Sequence, residues 1–303
     1  MSLPVPELPE VETVRLGLNQ VTLNQVIEGG DVLLERTVAY PDSAIAFLAE
    51  LQGRAISQWH RRGKYLLAEL QEGSASTHAD AETKPEFTRL GPSAAGYLGV
   101  HLRMTGQLLW VPQSDPLQKH ARVRFFLGQG QELRFVDQRT FGQMWYVPPG
   151  IAPEVVMTGL SRLGPEPLSP EFSVPYFAEK LRDRQRPIKN ALLDQALVAG
   201  IGNIYADEAL FLSGLRPTTL CAKLKPKQIA QLHGAIRQVL HAAIAARGTT
   251  FSDFRDVAGI NGNYGGIAWV YDREGQPCRT CGGEIQRLKI AGRSAHFCLI
   301  CQR

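Results

Sequence analysis

The apolar positions change their period along the chain. In residues 6–23, Val11, Val14, Leu18 and Val21 recur at intervals of three and four, which predicts a helix with one apolar face. Pro9 near its start suits a first turn, where no amide donor is needed. From about 26 to 148 the pattern shortens and alternates. VIEGGDVLL, AISQWHRRGKYLLAEL, YLGVHLRM, QLLWVP, ARVRFFL, ELRFVD and GQMWYVP read as strands parted by Gly, Pro and polar turns, with a short helix at 42–51. This succession predicts an antiparallel sandwich or barrel. Residues 71–97 are small, polar and out of rhythm, and read as a loop insertion.

Beyond a Pro-rich stretch the pattern becomes helical. Phe177–Leu181, Ile188–Val198 and Ile204–Leu212 are candidate helices, and a longer one carries Ile229, Leu232, Ile236, Val239, Leu240 and Ile244 before Gly248. A glycine-rich run leads to the final segment. The expected partition is a β-domain at 1–148 with 71–97 inserted, a linker at 149–175, a helical domain at 176–268 and a small module at 269–303.

That module carries Cys278-x2-Cys281-x16-Cys298-x2-Cys301, two knuckles at the spacing of a closed, structural zinc site. The run between them, GGEIQRLKIAGRSAHF, reads as a β-hairpin turning at Ala291-Gly292-Arg293. A four-cysteine site leaves zinc no open coordination position, so chemistry is expected elsewhere.

Composition narrows the class without naming it. At 303 residues, 44% hydrophobic and 20% charged, the chain has room for two globular domains and an appendage. No apolar run approaches a membrane span, and MSLPVPELPEVE has neither the basic flank nor the apolar core of a secretion signal. Four of the five cysteines form the metal pattern, which suits a reducing compartment, and Cys221 reads as a structural thiol. A net charge of +4 is compatible with a polyanionic partner and does not demand one.

One loop offers chemistry of its own. Gly200, Gly202 and Asn203 in AGIGNIY favour tight turns ahead of a helix whose free amides could receive a phosphate. A plain connector fits these residues equally well.

The segments PELPEVETV, RRGKYLLAEL, HLRMTGQL, DQRTFGQ, LGPEPL, IKNALLDQALVAGIGNIYADEALF and the cysteine hairpin follow one another from about residue 5 to 303, with 71–97 the main unmatched piece. As a set they resemble the bacterial formamidopyrimidine-DNA glycosylases. The resemblance implies an α+β multidomain fold: an N-terminal antiparallel β-sandwich with flanking helices, a helix-two-turns-helix domain and a C-terminal zinc-finger β-hairpin. It implies a base-excision repair enzyme that removes oxidised purines, 8-oxoguanine and formamidopyrimidines, and nicks the strand as an AP lyase by β,δ-elimination. It further implies one structural Zn2+, double-stranded DNA with oxidised bases or abasic sites as partner, no membrane, a monomer, and a cytoplasmic bacterial location at the nucleoid.

Site residues follow from the same resemblance. Pro6 matches the N-terminal proline whose secondary amine attacks the sugar C1′ and forms a Schiff base. Inside a chain its nitrogen is an amide with a delocalised lone pair and cannot attack. Val5 stands where an initiator methionine would, so the expected active chain starts at position 5 and loses that residue. Glu7 matches a general acid at the sugar ring oxygen, and Glu10, one helical turn on, reads as a capping acid that can steady it. Lys64, placed on a strand in Arg61-Arg62-Gly63-Lys64, matches a proton donor and phosphate contact; by itself such a cluster is a solvated basic face. Arg293 matches a residue of the δ-elimination step and a phosphate contact.

Met104, Arg139 and Phe141 match the side chains that fill the space left by an extruded base, with Arg139 facing the orphaned partner. A lone Met or Phe in a β-domain would otherwise be core. Thr140 departs from the basic residue many relatives carry there. His120, Arg184, Lys189 and Asn203 match phosphate contacts, which implies DNA held in a cleft, and 252–267 matches a loop that closes over the flipped base. Two other readings stay open: an endonuclease VIII-type enzyme for oxidised pyrimidines, and a DNA-binding zinc protein without catalysis if Pro6 is never exposed.

Overall fold

A computed structural model of the chain describes residues 5–73, 90–249 and 256–303. They pack as two compact units. Of the described residues, one unit takes 10–73, 90–161 and 256–261, and the other takes 5–9, 162–249 and 262–303. Residues 5–9 thus belong with the helical part, where the sequence placed them in the β-domain.

The β unit begins in helix α1 (Leu8–Val21). Its Val11, Val14 and Leu18 are fully buried in the sandwich core, as their spacing predicts. After it come β1 (Ile27–Val32), β2 (Val38–Tyr40), α2 (Ala44–Leu51), β3 (Arg54–Arg62) and β4 (Tyr65–Glu72). Ser43 caps α2 by accepting from the Ala46 amide at 3.3 Å. Next are β5 (Tyr97–His101), β6 (Gly106–Pro112), β7 (Ala121–Leu127), β8 (Gln131–Asp137), β9 (Gln143–Val147) and the short α3 (Pro153–Val156). Two sheets form, one of four strands in the order β1-β7-β8-β6 and one of five in the order β2-β9-β5-β4-β3. Most neighbouring pairs are antiparallel, and β2 with β9 is parallel. Alternation places the core: along β7, Val123, Phe125 and Leu127 point inward and join Trp59, Leu66, Val100 and Phe135 in one buried cluster. Fully burying each large side chain contributes about 1.5–3 kcal/mol.

Two expectations are corrected here. AISQWHRRGKYLLAEL is a hairpin: Arg62 pairs with Tyr65, and Gly63, at φ +57°, turns the chain between β3 and β4. Lys64 therefore sits at a turn, not within a strand. Of the expected insertion, residues 71 and 72 belong to β4 and Tyr97 opens β5, while 74–89 lie outside the described residues.

The helical unit contains α4 (Val174–Leu181), α5 (Ile188–Leu192), α6 (Asn203–Leu212) and α7 (Pro226–Ala245). Ile229, Leu232, Ile236, Val239 and Leu240 form the buried stripe of α7. The helix expected over Ile188–Val198 stops at Leu192 because side chains take over the backbone donors. Asp194 accepts from the Ala196 amide at 3.0 Å, and Gln195 accepts from the Gly200 amide at 2.9 Å and donates to the Ile201 carbonyl at 2.7 Å. The chain ends in β10 (Ile285–Ile290) and β11 (Arg293–Cys298), an antiparallel hairpin. Ile290 pairs with Arg293, so the turn is Ala291-Gly292, both at positive φ, and Arg293 opens the second strand. No helix among the described residues is long and apolar enough to cross a membrane.

Candidate active site and nucleic-acid interface

Pro6 and Glu7 are buried, and a glycine loop holds Glu7 and Leu8. The Leu8 amide donates to the Gly200 carbonyl at 3.0 Å. The Glu7 carboxylate lies at the N-terminus of α6 and accepts from the amides of Gly202 at 2.8 Å, Ile204 at 2.8 Å and Tyr205 at 3.3 Å. A Cβ on Gly202 would stand 2.3 Å from Glu7 Cδ, and one on Gly200 2.7 Å from Leu8 Cβ. The glycines therefore clear space for the Glu7-Leu8 segment. The amides read from the sequence as a phosphate site are occupied by a carboxylate, which gains from the same helix dipole. Both carboxylate oxygens act here as acceptors, the arrangement of an ionised group more than of a proton donor.

Two further acids on α6 hold the zinc module. Asp207 is buried, and its Oδ1 accepts from Lys189 Nζ at 2.5 Å. Its Oδ2 accepts from the His296 amide at 2.9 Å, so β11 is tied to α6. Lys189 Nζ also donates to the Ser294 carbonyl. Burial holds the Lys189 ammonium below its usual value, and the Asp207 charge opposes that shift. Glu208, fully buried, accepts from the amides of Trp269, Val270 and Tyr271 at 2.8–2.9 Å and from the Tyr264 hydroxyl at 3.3 Å. Burial pushes its carboxyl up, against those three amides. Neither acid was singled out from the sequence. The available signal was two adjacent acids within the otherwise apolar NIYADEALF.

The four cysteines converge as their spacing predicts. Their sulfurs all lie within 4.8 Å of one another, with Cys278 to Cys301 at 3.9 Å and Cys281 to Cys298 at 3.4 Å. Sulfurs held about 2.3 Å from one tetrahedral zinc would stand about 3.8 Å apart, so the donor set fits that ion. The module packs on Phe211 of α6 through Val270 and Ile285. Arg293 is exposed at the hairpin turn.

The phosphate-contact candidates of this unit differ in availability. Lys189 is fully buried and already serves Asp207, so its charge faces inward, contrary to the sequence expectation. Arg184 is half-buried and shares Asp194 with Arg186, at 3.3 and 2.7 Å. Asn203 Nδ2 donates to Ser294 Oγ at 3.2 Å, while its Oδ1 is buried without a hydrogen-bond partner.

In the β unit, Arg61 is buried and donates to Glu12 on α1 at 2.8 Å and to the Gly63 carbonyl at 3.1 Å. This pins the turn that carries the half-buried Lys64, so Arg61 is an anchor and not part of a solvated face. Arg139 and Phe141 are exposed on the turn after β8, Phe141 by 52%, with the guanidinium carbon 5.3 Å from the ring centroid. An exposed phenylalanine is not core. Met104 is half-buried in the β5–β6 turn, and His120 is half-buried just before β7, its Nδ1 3.1 Å from Arg122 Nη2. Arg36 donates to Thr140 Oγ1, so a cation stands beside the position where the chain carries threonine. Residues 252–255 of the expected closing loop lie outside the described residues.

A β-sandwich, a helix-two-turns-helix core and a four-cysteine hairpin, with basic and aromatic side chains exposed on turns, define the zinc-finger DNA glycosylase class of fold. Three family models cover the chain in order: the formamidopyrimidine-DNA glycosylase N-terminal domain over residues 5–144, its H2TH domain over 163–255, and the zinc finger found in FPG and IleRS over 275–303. The chain belongs to the formamidopyrimidine-DNA glycosylase family. It is 61% identical over 298 residues to the formamidopyrimidine-DNA glycosylase of Nostoc punctiforme, covering 98% of this chain and 96% of that protein. The Lactococcus lactis Fpg, solved in complex with DNA containing an abasic site, superposes with a TM-score of 0.82 at 33% identity, over 98% of this chain and 99% of that one. The Thermus thermophilus Fpg gives 0.80 at 37% identity, over 98% of each.

Proposed function

We propose that Pro6, exposed as the first residue, is the nucleophile of this glycosylase. The chain is a bifunctional DNA glycosylase and AP lyase of base-excision repair, acting on oxidised purines. The proline nitrogen bonds to C1′ as the N-glycosidic bond breaks. The base departs with that electron pair and takes up a proton. The C1′–O4′ bond then opens, O4′ takes up a proton as the proline nitrogen gives up its own, and an iminium forms at C1′. Its electron-withdrawing charge acidifies C2′–H and then, through the new double bond, C4′–H, and loss of these protons expels the 3′ and then the 5′ phosphate. An α-amino group titrates at about 8, against about 10 for lysine, so more of it is neutral and nucleophilic at working pH.

The observation that carries this reading is the clamp on Glu7. Three amides of one helix terminus hold the residue next to Pro6, which supports a defined place for the amine. Glu7 then works at the ring oxygen and offsets the cationic charge that develops on Pro6. Lys64 supplies a proton in the eliminations, and Arg293 serves the second of them. Met104 and Phe141 fill the vacated stack and Arg139 meets the estranged base, lowering the cost of unstacking. His120, Arg184 and Asn203 face phosphates, and Lys189 acts through Asp207 by holding β11. The Cys278, Cys281, Cys298 and Cys301 set holds one zinc that orders the hairpin. We read the enzyme as a monomer that associates with the nucleoid through DNA.

Borohydride reduction tests the nucleophile. A protein beginning at Pro6 should be trapped covalently on duplex containing 8-oxoguanine, and a homogeneous preparation beginning at Met1 should not. Equal trapping of both would show that another amine attacks.

A further inference from the structure

Three segments assigned to DNA meet at one carboxylate of the β unit. Asp137 closes β8 and is 1% exposed. Its Oδ1 accepts from the Thr105 hydroxyl at 2.5 Å and from the Arg139 amide at 3.2 Å, and its Oδ2 accepts from the Gly142 amide at 2.7 Å. Thr105 Oγ1 itself accepts from the Arg139 amide at 2.9 Å. The Asp137 amide donates to the His120 carbonyl at 2.9 Å, and its carbonyl accepts from Arg122 Nε at 2.8 Å. One residue thus bonds the neighbour of Met104, the two flanks of the Arg139–Phe141 turn, and His120.

The turn needs such a fixture. Thr140 sits at φ +58°, a left-handed conformation that a β-branched residue rarely adopts. A Cβ on Gly142 would lie 2.4 Å from the Phe135 ring, so the returning strand is pressed onto the core. The fixture also has to be an acceptor at both oxygens. An asparagine would turn an N–H2 toward a donor at one of them.

We infer that Asp137, with Thr105, is the positioning residue that preorganises the Arg139–Phe141 turn for the base opposite the lesion. This rests on the reading of Arg139 given above. Arg139 and Phe141 project from the same short turn, so fixing its backbone aims both side chains. Loosening it costs discrimination before it costs phosphate affinity.

The test is single-turnover excision of 8-oxoguanine opposite cytosine and opposite adenine, with binding to undamaged duplex measured at the same salt concentration. Wild type is compared with Asp137→Asn, Thr105→Val, Thr105→Ser and Arg139→Ala. Asp137→Asn and Thr105→Val should each lose about tenfold or more of the cytosine-over-adenine preference, the scale of one good base contact. Thr105→Ser, which keeps the hydroxyl, should retain the preference, and duplex affinity should fall less than the preference in every variant. The inference is overturned if Arg139→Ala loses the preference while Asp137→Asn and Thr105→Val keep it, or if the Ser and Val variants lose it equally. Should Arg139→Ala itself keep the preference, the reading of Arg139 fails and the inference with it. If Asp137→Asn does not fold, the two Thr105 variants decide.

Discussion

Asp207→Asn should unfasten the zinc hairpin from α6. In the native unit Lys189 and Asp207 are 1% and 0% exposed and lie 2.5 Å apart, and Asp207 also receives the His296 amide. Replacing the carboxylate by an amide leaves Lys189 without its directly bonded counter-charge, with the Ser294 carbonyl and the field of the Glu7 carboxylate remaining. Breaking a buried pair on one side costs about 3–5 kcal/mol, chiefly because the remaining charge stays desolvated. Adding Lys189→Met removes that charge, so the double variant should recover about 1–3 kcal/mol over Asp207→Asn alone. The assay is urea unfolding of the zinc-loaded protein followed by tryptophan fluorescence. Trp269 reports on this unit, its ring stacked on Phe211 at 5.7 Å. The reasoning fails if Asp207→Asn unfolds within about 0.5 kcal/mol of wild type, the scatter of ordinary surface changes, or if the double variant is no more stable than the single.

Two other outcomes follow from the same unit. Cys281→Ser should release zinc to a chelator and lose most DNA binding, because the hairpin that presents Arg293 is ordered by the metal, while the sandwich built on α1 keeps its own unfolding transition; a zinc-free variant that binds lesion DNA at wild-type affinity would refute it. Gly202→Ala should abolish borohydride trapping by protein that begins at Pro6, since the new methyl would stand 2.3 Å from Glu7 Cδ; trapping at the wild-type rate would show that the clamp does not place Pro6.

The sequence alone determined the elements and the metal. Helix α1, strands β6 to β9 and helix α7 were legible because burial follows a period of 3.6 or 2, and the periods are written in Val11, Val14 and Leu18, in ARVRFFL, and in Ile229 to Leu240. The cysteine spacing declared the zinc hairpin because two short knuckles need no distant partner. Motif order declared the family.

Local reading failed where a side chain takes its partner from far along the chain. Nothing near Gly202 announces that Glu7, almost two hundred residues earlier, fills its amides; from the sequence a phosphate site and a plain connector fit equally well. Lys189 matches a phosphate contact in sequence, and its partners Asp207 and the Ser294 carbonyl, which turn its charge inward, come from α6 and β11. Lys64 moved from strand to turn through the pairing of Arg62 with Tyr65, and Arg61 became an anchor only once Glu12 stood beside it. A buried charge is tolerated only with its counter-charge, and which charges pair is decided by tertiary packing. The chain's periodicity therefore determined what is helix, strand and metal knuckle, while the tertiary structure decided which polar groups remain free to meet DNA.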